Sequence, residues 1–112
     1  MSYTSENLEN SMVKLTITVD KATFDKAVDK SYHKNKKRIT VPGFRKGKAP
    51  RKMIEKLYGP EVFYEDAVDA VIPDAYQEVY DESDLEIVSR PVYDIITLEP
   101  GEDFVFSAKV AI

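Results

Sequence analysis

The chain of 112 residues contains no cysteine, which excludes a disulfide, a thiolate-held zinc and a thiol nucleophile. That absence suits a reducing compartment. It has a single histidine, His33, beside Lys34 and with no evident serine or cysteine partner. A solvated surface histidine is the better reading than a catalytic one. No apolar run approaches the roughly 20 residues needed to cross a bilayer. The opening Met1-Ser2-Tyr3-Thr4-Ser5-Glu6 is polar and acidic and lacks the basic and apolar pattern of a signal peptide. These absences together imply a cytoplasmic domain without a membrane partner.

Charge is plentiful but unevenly placed. Charged residues make up 32% of the chain, the formal net charge is −4 and the pI is about 5.0. Between Lys30 and Lys52, however, stand ten Lys or Arg and no acid, a local charge of +10. The rest of the chain carries six basic and twenty acidic residues, a net of −14. A basic patch of that density attracts nucleic acid whatever the global pI.

Inside the basic run lies Gly43-Phe44-Arg45-Lys46-Gly47-Lys48-Ala49-Pro50. Two glycines and a closing proline, with Pro42 before them, describe a loop with a restricted backbone at both ends. A phosphate-binding P-loop needs four residues between its glycines and Ser or Thr after its Lys. Here three residues separate Gly43 from Gly47, and Ala49 follows Lys48, so a nucleotide site is excluded. Two readings remain open on composition alone: a plain solvated turn, or a ring and two cations shown to an anionic partner. Phe44 weighs against the first, because an apolar ring at the tip of a cationic loop is costly to leave exposed without use.

Around this loop the apolar residues are periodic. Val13, Leu15, Ile17 and Val19 alternate with polar residues as in a strand with one buried face. Asp20 stands at an N-cap position, and Phe24, Ala27, Val28 and Tyr32 trace one stripe of a helix that ends in Lys34, Lys36, Lys37 and Arg38. Cations there also suit the helix macrodipole, which is their bland explanation. Pro50 is placed in the first turn of a short helix carrying Met53, Ile54 and Leu57, with Gly59 as a left-handed cap. A longer helix with Phe63, Ala67, Ala70, Val71, Ala75 and Val79 follows Pro60, and Pro73 is expected to kink or split it. A β region at Leu85, Ile87 and Val88, a strand over Val92 to Leu98, a type II turn at Glu99-Pro100-Gly101-Glu102 and a strand from Phe104 complete the pattern. The order β-α-α-α-β-β-β predicts an α+β fold, a four-stranded antiparallel sheet packed against helices. Residues 1–11 are expected to form a loose tail.

Other clusters carry less. The acids at Glu61, Glu65, Asp66 and Asp69 lack the pattern of a calcium loop and read as a solvated helix face. Tyr32, Tyr76 and Tyr80 lie near apolar stripes and read as the rim of a core. No catalytic constellation and no cofactor signature appears.

The Gly43–Pro50 run, behind a basic helix end and ahead of a short helix, resembles the signature of the trigger factor family of bacterial ribosome-associated chaperones. The resemblance runs from Met12 to Ile112 and points to the family's N-terminal, ribosome-binding domain. It implies one domain over residues 1–112, excised from a longer protein whose prolyl isomerase and helical domains would follow. It also implies that Gly43, Phe44, Arg45, Lys46, Gly47 and Lys48 dock on the large ribosomal subunit, against an exit-tunnel protein and adjacent ribosomal RNA, in the service of nascent polypeptides. Charge adds Lys34, Lys36, Lys37, Arg38, Arg51 and Lys52 as RNA contacts. A free-standing RNA-binding module is the alternative, though it should show an aromatic platform and the patch offers only Phe44 and Tyr32. Self-association as a homodimer is left open. No enzymatic activity is expected in this fragment.

Overall fold

Alternating side chains on two long strands set the architecture. A computed structural model describes all of residues 1–112. The elements run β1 (Ser2–Asn7), β2 (Met12–Val19), α1 (Lys21–Asn35), α2 (Arg51–Tyr58), α3 (Tyr64–Glu82), β3 (Val92–Thr97) and β4 (Phe104–Ala111). Single 3-10 turns at Lys36–Arg38 and Pro60–Phe63 follow α1 and precede α3. The fold is α+β with four antiparallel strands and three helices. The chain divides into two compact units, Met1–Lys21 with Ile72–Ile112, and Ala22–Val71.

The first unit holds the sheet, ordered β1-β2-β4-β3. Val13, Leu15, Ile17 and Val19 of β2 pair with Val110, Ala108, Phe106 and Phe104 of β4, so both apolar rows share one buried face. On that face the Phe104 and Phe106 rings stack at 5.4 Å, and Tyr93 of β3 meets Phe106 edge-on at 6.0 Å. Tyr76, from the second half of α3, packs on Tyr93 in the same edge-on way at 5.8 Å. Such offset geometries match the ring quadrupole. β3 forms a hairpin with β4 through a turn closed by the Glu102 amide on the Glu99 carbonyl, with Gly101 at φ +82. That is the expected type II turn.

Three expectations about this unit are corrected. Residues 1–11 are not a loose tail: Ser2–Asn7 pairs along β2 in antiparallel register, Ser2 opposite Thr18 and Asn7 opposite Val13. A tight reversal with Asn10 and Ser11 at positive φ joins the two strands. The four-stranded count stands, but the order of elements is β-β-α-α-α-β-β. Leu85 to Val88 is not a strand; one backbone bond, from the Val88 amide to the Ala111 carbonyl, ties it to the sheet. Lastly, α3 continues through Pro73 without splitting. Pro73 and Asp69, one turn earlier, are both exposed, so the carbonyl that proline leaves without a donor is open to water.

The second unit is helical. Phe24, Val28 and Ser31 of α1, Ile54 of α2, and Phe63, Ala67, Val68 and Val71 are its buried residues around the loop feet. Phe24 meets Tyr64 edge-on at 5.2 Å. Pro50 is the residue before α2, extended at φ −64 and ψ 150, rather than part of its first turn. Gly59 ends α2 at φ 97 and ψ 155. That is a mirror-extended conformation open essentially to glycine, not the left-handed helical cap expected.

Candidate functional site

The loop between α1 and α2 is two consecutive turns, each made by a glycine. The Phe44 amide donates to the Val41 carbonyl at 3.1 Å, closing a turn with Pro42 and Gly43 at its centre. The Lys48 amide donates to the Arg45 carbonyl at 2.9 Å, closing a second around Lys46 and Gly47. Gly43 and Gly47 have φ of +90 and +82. A positive φ at the third position of a turn is the type II arrangement, which strains any residue with a Cβ. Gly47 also packs closely: a Cβ there would sit in van der Waals contact, 3.4 Å from the Lys37 Cα. The second turn therefore lies directly against the Lys36–Arg38 turn.

Two buried feet hold this loop. Val41 is 2% exposed and Ala49 is 1% exposed, whereas Phe44, Arg45, Lys46 and Lys48 between them are exposed. The Tyr32 hydroxyl donates to the Ala49 carbonyl at 2.7 Å, and its ring meets Phe63 edge-on at 5.8 Å. Burial at the feet and exposure at the tip give a loop whose apolar ring points outward at 38% exposure by construction, not by default.

The predicted site residues fall into three groups and one outlier. Phe44, Arg45 and Lys46 with Gly43, Gly47 and Lys48 form the tip and its turns. Lys37 and Arg38 are exposed beside it, brought there by the close approach of Gly47; Lys36 is half-buried, its ammonium 5.8 Å from the centre of the Tyr32 ring. Lys34, in the last turn of α1, and Lys52, on α2, are exposed without ion pairs to acids. Arg51 stands apart. Its guanidinium turns toward carboxylates, 2.6 Å from Asp25, 3.7 Å from Asp29 and 3.3 Å from Glu55. The hydrogen bond to Asp25 raises its pKa above the ordinary arginine value against partial desolvation, and Glu55, Asp25 and Asp29 add to the rise. A cation already surrounded by three acids is a poor phosphate ligand.

Sequence reasoning missed a polar cluster at the end of α1. The Asn35 side-chain amide donates to Asp66 Oδ2 at 2.6 Å and to the Ser31 carbonyl at 2.8 Å, and the Ser31 hydroxyl also reaches Asp66 at 3.5 Å. Asp66 is thus partly buried and bonded, unlike the solvated acid expected, and Ser31 is 4% exposed. Ser31 lies on the α1 stripe, one residue before Tyr32, and that was the available signal. An open cleft of about 270 Å³ runs past Asn35, Arg38, Ile39, Val62, Phe63, Glu65 and Asp66. His33 is exposed, with Nε2 3.4 Å from Asp29. No helix is long and apolar enough to cross a membrane.

A sequence family described as bacterial trigger factor protein matches residues 1–112. The chain belongs to the trigger factor family. It is 51% identical over 112 residues to the trigger factor of Lachnoclostridium phytofermentans, covering all of this chain and 26% of that protein. Identity is also 51% over 112 residues to the trigger factor of Clostridium acetobutylicum, again over all of this chain and 26% of the relative. The chain thus spans about a quarter of the length of the curated relatives it matches. The fold is similar to a solved structure from work on promiscuous substrate recognition by the trigger factor chaperone. There the TM-score is 0.70 at 22% identity, over 99% of this chain and 26% of that one. These 112 residues are the N-terminal domain of the trigger factor family.

Proposed function

We propose that this domain docks a nascent-chain chaperone on the large ribosomal subunit, near the polypeptide exit tunnel in the cytoplasm, through the Gly43–Lys48 loop. The observation that carries the reading is the built tip: an exposed Phe44 with Arg45 and Lys46, set between two glycine turns on buried feet. Arginine and lysine can bond carboxylates or phosphates, and an aromatic anchor can enter an apolar crevice of a protein partner. Lys34, Lys37, Arg38, Lys48 and Lys52 add attraction to ribosomal RNA. Unfolded clients have apolar surface available on the edge strand β3, where Val92, Ile95 and Ile96 are more than half exposed. The free-standing RNA module loses ground to one contact. Tyr32 is half-buried, spends its hydroxyl on Ala49 and packs its ring against Phe63 and under the Lys36 ammonium, which leaves Phe44 as the only exposed Phe or Tyr ring in the patch for stacking on bases.

Ribosome co-sedimentation at increasing salt tests the proposal. Each phosphate contact contributes roughly −0.7 to −0.9 to the slope of log affinity against log salt. With part of the patch in contact, the slope should fall at about −2 to −5, so a fourfold rise in salt weakens binding by roughly 60-fold at a slope near −3. Binding to naked ribosomal RNA should be far weaker than to intact large subunits. A flat salt response, or equal binding to naked RNA, would contradict this reading.

A further inference from the structure

Of the ten cations in the basic run, Arg51 alone is enclosed by acids, and it stands two residues after the loop's second foot. Asp25 and Asp29 are one turn apart on α1, and Glu55 is one turn on from Arg51 in α2. The closest bond is to Asp25 Oδ1, 2.6 Å from an outer guanidinium nitrogen. Nε lies 3.3 Å from Glu55 but is not aligned for a hydrogen bond, so charge alone holds that side. Two turns further along α1, Tyr32 holds the carbonyl of Ala49. The chain from Ala49 to Arg51 is therefore tied to α1 at two points, by a bond to its backbone and by an ion cage on its side chain.

We propose that Arg51, caged by Asp25, Asp29 and Glu55, is a positioning residue that with Tyr32 fixes the second foot of the docking loop. This rests on the docking role of the loop proposed above. A loop held in its bound arrangement avoids the ordering cost that otherwise weakens association. The cage sets where the Arg45–Lys48 turn leaves α2, and hence where Arg45 and Lys46 point. Arg51 itself contributes no phosphate contact.

The Asp25→Asn variant separates this role from direct RNA contact, because the two predict opposite signs. Were Arg51 an RNA contact, removing an acid beside it would free the guanidinium and raise ribosome affinity. As a clamp, Arg51 loses the charge of its closest partner, and affinity should fall about three- to tenfold with the salt slope unchanged. The Lys46→Ala variant, which deletes a contact, should instead make the slope shallower by about 0.7 to 0.9. Hydrogen exchange supplies a readout that does not depend on the ribosome. In Asp25→Asn, and again in Tyr32→Phe, the Phe44 and Lys48 amides should exchange faster while those of Val28 and Ile54 keep their wild-type rates. Unchanged loop exchange in both variants, or tighter ribosome binding by Asp25→Asn, overturns the proposal. Uniform acceleration at all four amides also overturns it, since that reports global destabilisation. If the wild-type chain fails to bind ribosomes, the docking role falls and loop exchange alone decides the clamp.

Discussion

Replacing Phe44, Arg45 and Lys46 together by alanine should weaken ribosome binding by roughly a thousandfold while leaving the melting temperature nearly unchanged. Interface energy concentrates in a few anchors, often about 2 kcal/mol or more each. Losing about 4 kcal/mol across the tip corresponds to that thousandfold at about 1.4 kcal/mol per decade. The fold should be indifferent, because all three side chains are exposed and the turns are closed by backbone bonds from the Phe44 amide to the Val41 carbonyl and from the Lys48 amide to the Arg45 carbonyl. Surface substitutions of this kind usually change stability by no more than about 0.5 kcal/mol each. Co-sedimentation with ribosomes beside thermal melting checks both halves. A variant that melts normally and still pellets removes the tip from the interface, and one that unfolds makes Phe44 a core residue.

The opposite profile is expected at Phe106. This residue is fully buried on a central strand, stacked on Phe104, met edge-on by Tyr93 and paired in register with Ile17 and Ile95. Phe106→Ala removes a ring from the buried face of the sheet and leaves a cavity there. Such truncations cost about 3–5 kcal/mol. Against a total stability of about 5–15 kcal/mol for a small domain, that is a large fraction. At several degrees per kcal/mol the melting temperature should drop by more than about 10 °C. Urea titration measures the loss directly, and a change under about 1 kcal/mol would mean that the sheet face is not the organising core of its unit.

The two profiles follow from what each part of the chain displays in sequence. The rows Val13–Val19 and Phe104–Val110 were legible because burial of one sheet face imposes a strict period of two. β1 was not, since Ser2–Asn7 carries only Tyr3 as a large apolar residue; backbone pairing to β2 makes it a strand, and pairing is invisible in composition. Leu85, Ile87 and Val88 misled for the converse reason. They are apolar and β-prone, yet Val88 is 75% exposed and only one backbone bond reaches β4. In the site, the glycines, the closing proline and the run of cations identified the loop and its flanks. Arg51 could not be told from its neighbours, because its acids come from Asp25 and Asp29, 26 and 22 residues earlier, brought near only by the folding of α1 against α2. Asp66 was misread likewise, its partner Asn35 lying 31 residues away. Local turn chemistry and periodicity are written along the chain, whereas the partner of a charge is decided by tertiary packing.

The central claim is that this loop faces the large ribosomal subunit, and a single cross-link addresses it directly. The chain has no cysteine, so Thr40→Cys gives one thiol, on an exposed residue just ahead of the loop. Carrying a short photo-cross-linker there, the protein should label purified large subunits, at protein and at ribosomal RNA, and leave small subunits nearly unlabelled. The adducts should disappear when Phe44, Arg45 and Lys46 are alanine. Equal labelling of both subunits, or adducts that persist in the alanine variant, would contradict the account.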